Sequence, residues 1–310
     1  MLYYALLIFT DILFGSQFMV INGYQKKNGN TIRSSLALSV FEGIFVSVIF
    51  FIASGFKIHF TSFSVICSLL LAIIFMLCSI VGIKTLSLGN VAIYTLFIMS
   101  GGMVVPFLVG VFYLNEEVSV FKVVGIVLII SMLLLPTIIK SKETINRTKK
   151  ETVLFYCFAL LLFLTNGLNS VIIKIHQINV NAIESSSFIS LYFLFLAIFS
   201  LFFYVIFSII EKTKKNKIDS NDNSEKTYTK LLNKNAILFG FIYALINGGA
   251  NFLNTIVAKE IDATIQFPII TGGTILVSII LGRIIFKEKL NKIQIVQLIT
   301  VTIAIILFVL

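Results

Sequence analysis

Two carboxylic acids in this chain stand where water is scarce. Asp11 lies in "LYYALLIFTDILFG" and Glu42 in "LALSVFEGIFVSVIF". An ionisable side chain inside a membrane span is costly, so it faces a cavity or a partner. Asp11 falls about ten residues into its apolar run, near the bilayer centre at ~1.5 Å per residue. It shares a helical face with Gly15 and Asn22, and Glu42 shares one with Ser35 and Ser39. A carboxyl group at low dielectric can load and release a proton near neutral pH. Asp11 and Glu42 are therefore candidates for proton carriage or for pairing with a substrate ammonium group. The competing reading is an acid satisfied by neighbouring helices.

A second constellation is neutral. Tyr243, Asn247, Asn251 and Asn254 recur at i, i+4, i+8 and i+11 within one apolar run. That spacing puts four polar side chains on one helical face, which must meet water, a ligand or another helix. An amide both donates and accepts, which suits neutral polar or zwitterionic groups. Asn166 and Asn169 add a second patch, and Tyr94, Ser100, Gln266 and Thr271 are further lining candidates. Lys84, Lys174 and Lys259 stand at span ends, where long stems are expected to snorkel to the interface.

These residues need membrane helices to position them. Of 310 residues, 58% are hydrophobic and only 12% charged, about half the charge of an ordinary soluble domain. A spanning helix takes about 20 apolar residues. Runs of that kind predict an all-α polytopic membrane protein with ten transmembrane helices. They fall near 2–22, 34–55, 63–83, 91–113, 118–138, 153–174, 184–210, 236–258, 263–285 and 293–310. The first carries Asp11, lacks a basic leader and shows no cleavage site, so it reads as a span rather than a signal. Cys67, Cys78 and Cys157 lie inside spans without metal-ligand spacing and read as packed, reduced thiols.

The net charge of +10 could suggest nucleic acid, but its placement argues otherwise. Twenty of the 24 Lys and Arg fall at odd-numbered breaks between spans. The positive-inside rule then puts odd loops in the cytoplasm and both termini outside. The longest breaks divide the chain. Residues 1–139 form a first five-helix unit, 140–152 a linker, and 153–310 a second unit with a polar loop at 211–235.

The two units resemble each other. "IMSGGMVV" and "IITGGTIL" place Gly101–Gly102 and Gly272–Gly273 in matching settings, 171 positions apart. The same offset pairs Ala92 with Ala263, Ile98 with Ile269 and Glu117 with Glu288. The turn at Glu117 is poor in cations and the turn at Glu288 rich in them, as an inverted repeat requires. Inverted repeats are a property of secondary transporters. Glycine inside a helix costs about 1 kcal/mol relative to alanine, so each doublet has a reason. Close packing is one. Bending is another, because Pro106 and Pro268 lie nearby and both residue types favour kinks.

The units "LFIMSGGMVVPFLVGVFYLNEEVSVFKVVGIVLII" and "QFPIITGGTILVSIILGRIIFKEKLNKIQIVQLIT" resemble the EamA-like branch of the drug/metabolite transporter superfamily. In that family the fourth helix of each repeat ends near a Glu, and a glycine-containing helix follows. Glu117 and Gly125 fit in the first half; Glu288 fits in the second, where Val296 replaces the glycine. The resemblance implies a carrier with a central cavity, moving small organic metabolites or drugs, often by export and often with protons. Asp11 also matches the small four-helix members in helix and residue type, with Asp in place of Glu.

The expected function is thus secondary transport of a small polar solute across the cytoplasmic membrane by alternating access, with proton-coupled export. A lipid-carrier flippase of the same fold and a non-transport scaffold are the alternatives. The partners expected are a small molecule, the bilayer and protons, with no nucleic acid, no metal, no cofactor and no required oligomer. There is no H-E-x-x-H and no phosphate-binding G-x-x-x-x-G-K-[ST], so an ATP-driven pump or zinc hydrolase is not expected.

Overall fold

The computed structural model describes residues 2–29, 31–88, 91–139, 148–217, 233–286 and 292–310. The helices are α1 (Leu2–Asn28), α2 (Ile32–Ala53), α3 (Ser62–Leu88), α4 (Val91–Phe112), α5 (Val120–Ile139), α6 (Lys149–Ile178) and α7 (Ser185–Lys217). After them come α8 (Lys234–Tyr243), a π-helical turn (Ala244–Gly248), α9 (Gly249–Glu260), α10 (Ala263–Phe286) and α11 (Lys292–Val309). The α8, π and α9 segments run on as one span, Lys234–Glu260. Nine helices among the described residues are long and apolar enough to cross a membrane, and Val120–Leu135 of α5 is a shorter apolar stretch. The protein is an all-helical, multi-pass membrane protein.

Each expected apolar run corresponds to a helix, but the helix ends differ. The expected linker loses residues 149–152 to α6, and α7 runs on to Lys217 inside the expected polar loop. Hydropathy marks the part of a helix that lipid covers, whereas Lys-rich ends stay helical beyond it. Local chemistry sets some starts. Thr31 accepts from the Ser34 N–H at 3.1 Å ahead of α2. Thr148 and Glu151 form a reciprocal capping box ahead of α6.

Bulky apolar side chains such as Ile8, Val48, Phe51, Phe202 and Ile299 point outward. In a bilayer that face meets lipid and needs no protein cover. Two large clusters dominate the interior packing, beside smaller ones around Tyr24 and Tyr204. One cluster joins α2, α3, α6 and α7 around Val46, Leu71, Phe188 and Phe193. The other joins α1, α4, α5, α10 and α11 around Leu7, Met103, Ile129, Ile269 and Phe308. α2 lies on α7, α4 on α6, α1 on α10, α3 on α6 and α7, α5 on α11, and α4 on α10; α1 also packs on α8 and α9.

The glycine doublets sit where backbones approach. A Cβ on Gly101 would strike the main chain of Phe163 on α6, and one on Gly102 would lie 2.5 Å from the Asn166 amide nitrogen. A Cβ on Gly273 would strike the carboxyl group of Asp11. Gly272 has only side chains nearby, with Val301 at 3.0 Å. Close packing is therefore visible at both doublets, and α4 runs helical through Gly101, Gly102 and Pro106. Gly125 presses on Phe308, with 2.8 Å available to a Cβ.

Candidate functional site

A cavity of about 370 Å³ lies between α1, α3, α4, α6, the α8–α9 span and α10. Tyr94, Asn166, Asn169, Tyr243, Asn247, Asn251 and Asn254 all line it, as the sequence suggested, and Thr271 joins them. Gln17, Ser79 and Thr274 are lining residues that the sequence reading missed. Each is a short or neutral polar group inside an apolar run, with no repeat of spacing to announce it. No Asp, Glu, Lys, Arg or His lines the cavity among the described residues. A larger depression of about 710 Å³ surrounds the α6–α7 turn and Lys259. It is a surface feature away from the polar stripe.

The amides are held largely by one another. Asn247 sits in the π-helical turn and donates through Nδ2 to Glu42 Oε1 at 2.6 Å. Asn251 Nδ2 donates to the carbonyl of Asn247 at 2.8 Å and to its Oδ1 at 3.1 Å. Thr255 Oγ1 donates to the Asn251 carbonyl at 2.6 Å. Gln266 is wholly buried behind the wall, and its Nε2 donates to Asn254 O and Oδ1 at 2.9 and 2.7 Å. Tyr243 donates to Gln17 Oε1 at 3.3 Å. Asn166 Nδ2 donates to the Ile98 carbonyl at 2.6 Å. A π-turn inserts one residue into a helix and often marks a functional site. Here it swings Asn247 onto Glu42.

The two acids stand outside the cavity lining. Glu42 is 1% exposed and lies behind Asn247, with Oε2 unpaired. Asp11 is 5% exposed, lies against Gly273, and its Oδ1 has no hydrogen-bond partner. Ser100 also misses the cavity and bonds back to the Leu96 carbonyl at 2.5 Å. Cys78 reaches the lining and lies 2.9 Å from Thr165 Oγ1, and Cys157 is exposed on the apolar surface rather than packed.

The even-numbered turns are tied to their neighbours by buried polar contacts. Asn115 takes a left-handed φ of 54° and reverses the chain after α4. Glu116 then reaches α10 and accepts the N–H groups of Ala263 and Thr264, both at 2.8 Å. A carboxylate there meets unpaired amides and the positive end of the helix dipole. Lys174 lies 4.0 Å from Glu116, and the two side chains are 6% and 7% exposed. Lys174 does not snorkel. It donates to the carbonyls of Ala258 and Ile261 at 3.0 and 2.6 Å, closing the end of α9. Those orphan carbonyls are nearer than the interface, which is why the expectation fails. Lys84 and Lys259 are exposed. Nearby, Thr61 donates to the Asn181 carbonyl at 2.8 Å and Ser64 lies 2.9 Å from His176 Nε2. Glu116, missed in the sequence, is the acid of its turn whose side chain is 7% exposed, whereas Glu117 is exposed. Glu288 lies outside the described residues.

No family model and no curated protein matches the chain. Solved structures do: 28 chains are similar in fold. One crystal structure of a protein aligns with a TM-score of 0.73 and 12% identity, covering 99% of this chain and 98% of that one. The full-length likeness is one of fold alone.

Proposed function

We propose that this protein is a secondary transporter that moves a small polar organic metabolite or drug across the cytoplasmic membrane by alternating access. The observation that carries the reading is the cavity, an amide-rich chamber inside an apolar bundle with walls from both halves of the chain. Clefts between membrane helices with convergent polar groups are where carriers hold their solutes.

The halves 1–139 and 153–310 act in this reading as inverted five-helix repeats. Support comes from the exchange of partners in the packing. α1 lies on α10 as α6 lies on α4. α3 packs on α6 as the α8–α9 span packs on α1. The pairs α2–α7, α4–α10 and α5–α11 each join an element to its counterpart. The doublets add to this: Gly102 receives Asn166 from α6 where Gly273 receives Asp11 from α1. Together with the helix–acidic turn–helix units, this layout supports placement in the EamA-like branch of the drug/metabolite transporters. The cation bias of the odd loops supports a cytoplasmic position for them, with both termini outside.

Export coupled to protons is the direction we assign, with Asp11 and Glu42 as the proton-carrying groups. In proteoliposomes, solute flux then follows an imposed pH gradient, and Asp11→Asn uncouples flux from the gradient while leaving the protein folded. Wild-type flux indifferent to the gradient refutes the coupling. An absence of flux for every solute that binds refutes transport.

A further inference from the structure

The transport reading leaves the chemistry of the solute open, and the cavity wall restricts it. Most of the amide stripe is already engaged. The Nδ2 groups of Asn166, Asn247 and Asn251 donate to protein acceptors, and Asn254 Oδ1 accepts from Gln266. The stripe that looks like a ligand surface in the sequence is mainly a brace that fixes the cavity wall. Two lining groups are different. Asn169 Oδ1 on α6 and Thr274 Oγ1 on α10 are buried and have no hydrogen-bond partner. Thr274 is 7% exposed as a residue.

Unmet polar groups beside a cavity await a partner, because leaving them unpaired is costly. Asn169 Oδ1 can only accept and Thr274 Oγ1 can accept as well as donate, so an occupant that donates meets both. A carboxylate or phosphate would find no cation in the described lining. An ammonium would find no carboxylate there, since Asp11 and Glu42 lie behind it. Burying an ion without a counter-charge is far costlier than burying a hydrogen-bonded neutral group. Rings from Phe14, Phe75 and Phe267 complete the wall.

We infer that the cavity binds an uncharged solute bearing O–H or N–H donors, read by Asn169 and Thr274. Amino acids, organic cations and organic anions are excluded from it. This inference rests on the transport reading only for its biological use, since the binding it describes can be measured without flux.

The test is thermal stabilisation of the purified protein by compounds of matched size in four charge classes. Uridine, thymine and myo-inositol serve as uncharged probes, with phenylalanine, benzoate and benzylammonium for the others. Ligand binding to the folded state raises apparent stability. Stabilisation by at least one uncharged probe and by none of the charged ones is the expected result. Asn169→Ala and Thr274→Val should each raise the concentration needed at least tenfold. Neither group has a protein partner to lose, so both variants should melt at the wild-type temperature without ligand. Stabilisation by phenylalanine, benzoate or benzylammonium overturns the inference. So does silence from all uncharged probes, or wild-type binding by both variants. Binding of an uncharged probe without flux in proteoliposomes would instead sink the transport reading and leave this one standing. Flux of a charged solute would do the reverse.

Discussion

Removing the carboxyl group of Glu116 should loosen the joint between α9 and α10. Glu116→Ala leaves the N–H groups of Ala263 and Thr264 without their acceptor. Each orphaned buried donor costs about 1–3 kcal/mol. Lys174 loses the counter-charge 4.0 Å away, although it keeps two carbonyls. Breaking a buried ion pair from one side costs about 3–5 kcal/mol when nothing else compensates. The carbonyls compensate in part, and the side chains are 6–7% exposed, so water replaces little. A total of about 3–5 kcal/mol follows. Near 2–4 °C per kcal/mol, the melting temperature should fall by on the order of 10 °C. Glu116→Gln keeps one acceptor oxygen and should lose about half as much. A double-mutant cycle with Lys174→Met should show coupling of about 1–3 kcal/mol. A loss below about 2 °C for Glu116→Ala in thermal unfolding of the detergent-solubilised protein would refute the reasoning.

The doublets should respond unequally to an added methyl group. Gly101→Ala meets main chain and Gly273→Ala meets Asp11, so each should destabilise by about 1–3 kcal/mol, while Gly272→Ala meets only side chains and should cost less; melting temperatures in the same detergent give the ranking. Asn247→Leu strands Glu42 without its one donor and should cost about 1–3 kcal/mol, whereas Glu42→Gln in the same background should recover part of that loss. With Cys67 and Cys157 changed to Ser, Cys78 remains the sole thiol at the cavity wall; a bound solute should slow its reaction with a maleimide, and unchanged labelling at saturating solute would count against the site. A reporter active only in the cytoplasm and fused after Leu310 should give no signal, because the odd loops carry the cations.

Helix existence was legible in the sequence because membrane spans announce themselves by length and apolarity. Side-chain roles were less so, because they depend on the neighbouring helix. The face of Asn247, Asn251 and Asn254 could be read from spacing alone. That Glu42 and Gln266 stand behind that face, holding it, could not. A helical face gives a direction, and only the partner helix says what lies in it. The acid of the α4–α5 turn shows the same limit. Glu116 and Glu117 are adjacent and alike in type, and the left-handed turn at Asn115 selects which of them reaches α10. Lys174 was misread because a helix end carries unpaired carbonyls, and another helix end happens to be within its reach.

One feature of the doublets bears on how such a molecule distinguishes its two sides. Gly102 and Gly273 each make a socket for a polar side chain from a crossing helix. The backbone frames are alike, but the inserts are not: an amide, Asn166, fills one and an acid, Asp11, fills the other. An amide is the same at every pH, whereas an acid changes with the proton concentration around it. On the proposed transport reading, two like halves would thus acquire a polarity from a single pair of unlike plugs. On the same reading, exchanging them, with Asp at 166 and Asn at 11, would move the proton-sensitive socket to the opposite half, at the expense of the bond from Asn166 to the Ile98 carbonyl.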